Sequence, residues 1–534
     1  MHLFHPLLVL GILALTALAA AGLTLAIARI SHPRPRGPHP PSTALPAPEG
    51  GRIATALAAR LAAHPGLNAL QLLGDPITAL AARLALIETA QSSVDLQYYI
   101  WQNDTAGALM LDALRTAASR GLRVRLLLDD NGTAGLDETL AVFAAHPNVE
   151  VRLFNPFPIR RARVLGYLSD FARLNRRMHN KAMVVDGSAA ILGGRNIADD
   201  YFNRFAPGGL YMDLDVAVAG PVVPEVAAQF DLYWNSASSI PAPLLLPPVS
   251  PDRIAALTAQ TLARLSQPDA TSYVAALRMA STAPPLLAPD APLTFAPARL
   301  LFDPPEKITG LLQGKKMLWR HLVEALGQPQ SELLLISPYL VPTRVGVQAL
   351  GRFAENGVRT RILTNSFAAS DVPLVHSGYA HRRRPLLRCG VELFEYAPDA
   401  DPVHEPEGPS AFLAEFVGRR IKGTSPFSRN KLHAKVFAVD RTRVFIGSFN
   451  FDPRSMRLNT ELGLLIEAPD IAQGISDAFE TYFPTRAWRV TLGPTQRLRW
   501  SRPGKPDLHH EPGTSLRSRV ALGIAQRLPI EWML

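Results

Sequence analysis

The chain has 534 residues, 47% apolar and 19% charged, which is enough for two buried cores of ordinary size. A single cysteine, Cys389, excludes an intramolecular disulfide and a cysteine-built zinc cluster, and reads as a small buried apolar residue. A formal net charge of +10 and a pI near 9.8 suit an anionic partner, nucleic acid or acidic lipid, without choosing between them.

In chain order, the first element is the run Leu7 to Ala28, uncharged throughout and long enough as a helix for a hydrocarbon layer of roughly 30 Å. A retained single-pass anchor is favoured over a cleaved signal peptide, because no Lys or Arg precedes the run. Arg29, Arg34 and Arg36 follow it and would put the body on the cytoplasmic side. Seven prolines between Ser31 and Pro48 describe an extended tether. The body starts near Gly50.

Residues 93–101 and 122–131 are strand-like and flank a helical pattern over 106–121 that ends at Gly121, so they predict a β-α-β unit with parallel strands. Residues 331–341, 345–357 and 358–366 repeat that layout. The next strands match too, 148–156 against 390–398. A tandem duplication is the simplest reading, joined by a Pro- and Ala-rich crossover over 236–300.

Each half then carries the same polar constellation. His179, Lys181 and Asp186 lie in "MHNKAMVVDG", and His433, Lys435 and Asp440 in "LHAKVFAVDR". "GGRN" with Asn196 follows the first at the same distance as "GSFN" with Asn450 follows the second. Asp215 and Glu461 then stand beside apolar strands. A neutral imidazole is a competent nucleophile near pH 7, and a second, protonated one can give a proton to a leaving oxygen. Lysine charges and asparagine amides suit the developing charge of a phosphodiester transition state. Asp215 and Glu461 are the candidates to fix the imidazole tautomers. The residues allow either histidine to be the nucleophile.

With these motifs, and with "DLQYYIWQND", "SPYLVPTR" and "LPIEWML", the chain resembles the phospholipase D superfamily over residues 50–500, and within it the C-type branch of bacterial cardiolipin synthases. The resemblance implies an α/β fold of two duplicated domains, 50–235 and 301–490, in pseudo-twofold arrangement. Around them lie the N-terminal transmembrane or signal-like segment (1–30), the linker (31–49), the crossover (236–300) and a basic tail (491–534). It also implies one site without metal or cofactor, His179 as nucleophile and His433 as acid then base, a phosphohistidine intermediate, and transfer of a phosphatidyl group from phosphatidylethanolamine or phosphatidylglycerol to phosphatidylglycerol. A hydrolytic phospholipase D and a membrane-attached nuclease are the alternatives.

Basic residues mixed with apolar ones precede each motif: Arg160, Arg161, Arg163, Arg173, Arg176 and Arg177 in the first half, and Arg419, Arg420, Lys422, Arg429 and Lys431 in the second. They suit an anionic lipid headgroup. Arg176, Arg177, Arg195, Tyr98 and Tyr339 are the expected substrate contacts. Phospholipids and the bacterial inner membrane are the expected partners, a helper protein is left open, and no nucleic acid is expected. In the tail, Leu516, Val520, Ile524 and Leu528 recur every fourth residue beside arginines, as in a short amphipathic helix.

Overall fold

The computed structural model describes residues 4–31, 40–203, 209–267, 273–275, 277, 285–312, 314, 316–398, 430–528 and 531–534. Arg419, Arg420, Lys422 and Arg429 lie outside them.

Among the described residues, ten strands belong to the first half: β1 (Asn68–Leu73), β2 (Ser93–Ile100), β3 (Arg123–Gly132), β4 (Val149–Phe154), β5 (Ala182–Val185), β6 (Ala189–Gly193), β7 (Tyr211–Met212), β8 (Asp215–Ala219), β9 (Ser239–Pro241) and β10 (Thr294–Ala296). The second half has β11 (Ala298–Phe302), β12 (Glu332–Ile336), β13 (Arg359–Asn365), β14 (Glu392–Tyr396), β15 (Lys431–Leu432), β16 (Lys435–Val439), β17 (Arg443–Gly447), β18 (Leu462–Ile466), β19 (Ala487–Leu492) and β20 (Leu498–Ser501). They build two nine-stranded sheets, β10-β1-β8-β6-β5-β2-β3-β4-β9 and β11-β18-β17-β16-β12-β13-β14-β19-β20. From β1 to β9 and from β11 to β19 the order is the same, so the duplication is one of topology as well as of sequence. Two strands from the crossover, β9 and β10, close the edges of the first sheet.

The two β-α-β units form as their patterns predict. β2 pairs parallel with β3, and β12 with β13. The intervening helix Thr105–Ser119 starts at Asp104, whose carboxylate accepts from the Gly107 N–H at 2.9 Å. It ends at Gly121, where φ is 97°; Gly357 stops the equivalent helix with φ 86°.

Strand alternation sorts the side chains into three layers. Ala182, Val184, Ala190, Val216 and Val218 of the first sheet meet Val436, Ala438, Val444, Leu462 and Leu464 of the second in one buried cluster. The small size of many of these residues lets the two sheets come together. The opposite face of each sheet takes a covering of helices.

The apolar N-terminus is a helix over Phe4–Ser31 that packs against the short helix Arg163–Ser169. Among the described residues, however, no helix is long and apolar enough to cross a membrane. The transmembrane span expected from the sequence is not supported among the described residues. In the tail, Leu516–Ala525 is helical as expected, with Leu516, Val520 and Ile524 exposed and Leu522 buried.

Candidate active site

The two histidine segments are gathered where the sheets meet. Each is held by backbone from the other half. The His179 N–H donates to the Thr460 carbonyl at 2.9 Å, and the Thr460 N–H to the Arg177 carbonyl at 3.0 Å. On the other side β15 pairs parallel with β7, and the His433 N–H donates to the Met212 carbonyl at 2.7 Å. The residue after each of these crossing points is a carboxylate. His179 Nδ1 therefore lies 2.8 Å from Glu461 Oε2, and His433 Nδ1 bonds the Asp213 carboxylate. Both rings are buried, 7% and 5% exposed.

This corrects one sequence expectation. Asp215 meets neither histidine; it is buried in an ion-pair cluster with Arg83, 2.8 Å, and Arg195, 3.2 Å. Asp213 is the carboxylate that meets His433. A signal was present: "DL" at 213–214 matches "EL" at 461–462 in the registered copies, since Gly193 pairs with Asp215 as Gly447 pairs with Gly463. The Gly pair before Arg195 has the same origin. A Cβ at Gly194 would stand 2.1 Å from Asp213 Oδ1, and one at Gly193 2.3 Å from Asp215 Oδ1, distances no side chain can share. In the second copy Ser448 replaces Gly194 and its hydroxyl donates to Glu461, whose other oxygen accepts from Ser455 at 2.8 Å.

Each lysine folds back on its motif. Lys181 Nζ donates to the His179 carbonyl at 2.6 Å, and Lys435 Nζ to that of His433. Burial, then Lys181 and Lys435, hold His179 well below its usual pKa. Burial and Lys435 outweigh Asp213 and bring His433 to about 4. Both rings are thus neutral at pH 7. Burial also pushes Glu461 up to about 7 against the pull of Lys181, and takes Lys435 down to about 8.

The aspartates of the two motifs stand away from the histidines, which answers differently from the expectation that they are catalytic. Asp186 accepts from the N–H groups of Gln91, Ser92 and Ser93 at 2.8–3.0 Å. Asp440 does the same for Gln330, Ser331 and Glu332 at 2.7–3.0 Å. Both adopt φ 52° at the turn after their strand, where Asp is among the better tolerated residues. Each ties that turn to the start of the neighbouring strand. Asp186→Ala is expected to lower unfolding free energy by roughly 2–4 kcal/mol, through loss of a buried charged acceptor shared by three backbone donors, and to leave kcat of the folded enzyme within twofold. Denaturant unfolding beside a turnover assay checks this.

Of the expected substrate contacts, three are structural. Arg177 is buried on Asp129 at 2.8 Å, Arg195 belongs to the Asp215 cluster, and the fully buried Tyr98 accepts from Arg83 Nε at 3.2 Å. Side chains alternate along a strand, so Tyr99 is the one that faces His179, ring centres 5.0 Å apart. The arginine-rich segment is mostly paired internally: Arg160 with Asp130 and Asp137, and Arg173 with Asp170 at 2.6 Å. Arg176 is half-buried and donates to the Arg457 carbonyl at 3.0 Å.

Tyr339 does reach the site, and with it residues that the sequence did not single out. Tyr201, Tyr211 and Tyr339 surround His433, with ring centres 5.1, 5.2 and 6.4 Å away. The hydroxyls of Tyr211 and Tyr339 both donate to the exposed Asp371 carboxylate, 3.0 and 2.8 Å. Asn196 is engaged by its neighbours, accepting from the Ile100 N–H at 3.1 Å and donating to the Tyr201 hydroxyl at 2.8 Å. Asn450 is buried and its Oδ1 has no hydrogen-bond partner.

Residues 84–234 and 322–483 match the family described as "Cardiolipin synthase, PLD-like domain". The chain is 43% identical over 486 residues to cardiolipin synthase C of Escherichia coli K12, covering 90% of this chain and 100% of that one. It is 26% identical over 416 residues to cardiolipin synthase A of Pseudomonas putida W619, covering 78% and 68%. The crystal structure of phosphatidylserine synthase from Haemophilus influenzae Rd KW20 superposes with a TM-score of 0.55 at 15% identity, over 90% of this chain and 100% of that one. That last likeness is one of fold.

Proposed function

Since this chain belongs to the cardiolipin synthase family with a phospholipase D-like domain, we propose that it is a phosphatidyltransferase making cardiolipin at a membrane surface. The observation that carries this reading is the exchange across the halves, in which His179 is held by Glu461 and His433 by Asp213. With Nδ1 of each ring engaged by a carboxylate, Nε2 is the nitrogen left to react; that of His433 also meets the Tyr201 hydroxyl at 3.4 Å and Lys435 Nζ at 3.3 Å.

The neutral His179 Nε2 attacks the donor phosphorus. The phosphorus–oxygen bond to the headgroup breaks as His433 gives its Nε2 proton to the departing alcohol. His433 is neutral without substrate, and the phosphodiester anion brought between the rings favours its imidazolium. A hydroxyl of phosphatidylglycerol then attacks the phosphatidyl-His179, His433 takes its proton, and the phosphorus–nitrogen bond breaks. Lys181, Lys435 and Asn450 are the proposed partners of the phosphate oxygens. Water in place of the lipid hydroxyl would give phosphatidic acid.

Phosphatidylethanolamine is the donor we favour. The leaving alcohol must stand beside His433, where Asp371 and the tyrosine rings offer a carboxylate and π faces, the environment an ammonium seeks. The exposed apolar side chains of 11–27 and of Val164, Leu165 and Leu168 are proposed to rest on the bilayer. The test uses mixed vesicles of both lipids with separately labelled headgroups. Cardiolipin with released ethanolamine is the expected product. Asp371→Asn is expected to shift the donor ratio toward phosphatidylglycerol by roughly tenfold, the worth of one charge-assisted hydrogen bond. An unchanged ratio rejects the Asp371 assignment; phosphatidic acid without cardiolipin rejects the synthase.

A further inference from the structure

We propose that the second half carries a binding site for one acyl chain of a lipid substrate, in an apolar cavity of about 720 Å³. The inference rests on the lipid-transferase reading above. The cavity lies between the helices Leu318–Leu326 and Thr343–Glu355 and the outer face of the second sheet. Leu322, Leu326, Leu335, Leu350, Phe353 and Phe437 are among its walls. Protein interiors are packed as closely as organic crystals, so an apolar space of this size between two amphipathic helices is the kind of cleft that ligands occupy. Away from the arginines at its edge, its walls are apolar and have little to hold water.

The mouth narrows the ligand class. Val323 and Val345 line it while 62% and 74% exposed, and Leu311, beside the lining residue Leu312, is 87% exposed. Arg176, Arg320 and Arg457 line the same cavity. Aliphatic side chains in the open next to arginines match a molecule with a hydrocarbon tail and an anionic head.

The cavity also adjoins the catalytic centre through a single turn of backbone. In the helix Pro453–Arg457, Ser455 donates to the Glu461 that holds His179, while Pro453, Met456 and Arg457 line the cavity. Phe449 and Phe451, on either side of Asn450, line it too. The helix Pro453–Arg457 and the segment Phe449–Phe451 thus belong both to the cavity wall and to the surroundings of the histidine site.

The experiment uses the full-length protein in vesicles containing phosphatidylglycerol with a diazirine near the end of one acyl chain. Photolabelled peptides are mapped by mass spectrometry. Label is expected within residues 318–327 and 343–353. Ala349→Trp, at an exposed lining position, is expected to reduce it about tenfold, as loss of burial for two methylenes would. Val323→Trp is the second blocking variant, and thermal unfolding confirms that either one folds. Label confined to the helix Arg163–Ser169 or to 11–27 overturns the proposal, as does label in the cavity that both blocking variants leave unchanged. Cardiolipin formation in the same vesicles is read separately, so a chain that binds the tail without making cardiolipin is told apart from one that makes cardiolipin without using the cavity.

Discussion

His179→Ala is expected to lower cardiolipin formation by about 10⁴-fold or more, because it removes the group that bonds to phosphorus. The variant should keep its unfolding midpoint, since the ring makes one side-chain hydrogen bond, to Glu461. His433→Ala should behave differently. With a natural donor the loss is about 10²–10⁴-fold, the usual worth of a general acid. A donor whose leaving group is nitrophenolate needs no proton, so its first step survives in His433→Ala. The second step, which needs His433 as base, does not. A phosphatidyl adduct on the peptide containing His179 should then accumulate and be visible by mass spectrometry. An adduct on His433 in the His179→Ala protein would reverse the two roles.

The second large effect separates two aspartates that lie two residues apart. Asp213→Asn is expected to reduce kcat by about 10³–10⁴-fold with little change in stability, because an amide in that place favours the wrong tautomer of His433. Asp215→Asn should do the opposite. It breaks the buried contacts with Arg83 and Arg195, which costs about 3–5 kcal/mol of stability, while the folded fraction turns over normally. Turnover per folded molecule, with the folded fraction taken from circular dichroism, decides between them. Equal loss of kcat in both would mean that the Asp215 cluster, and not Asp213 alone, sets the imidazole.

Much of this architecture was legible in the chain. The paired strand-helix-strand units could be read because period-two apolar runs and stop glycines such as Gly121 and Gly357 are local signals. The repeated His, Lys, Asp and Asn spacing could be read because one half serves as a template for the other. The family resemblance drawn from those motifs agrees with the match over both halves. The arginines of 160–177 misled, since their partners Asp129 and Asp130 sit at the end of β3, far away in sequence.

The sequence by itself carried the duplication and the two repeated histidine motifs, because each motif is set by residues within a few positions of one another and one copy can be read against the other. Tertiary structure decided which groups those histidines meet. Glu461 reaches His179 and Asp213 reaches His433 because each motif is threaded against the other half's backbone at Thr460 and Met212. It also turned Tyr99 rather than Tyr98 toward the site and assembled Tyr201, Tyr211, Tyr339 and Asp371 around His433. These contacts join residues tens to hundreds of positions apart, and a one-residue change in strand register would exchange every one of them. No local pattern encodes that register; the packing of two sheets against each other does.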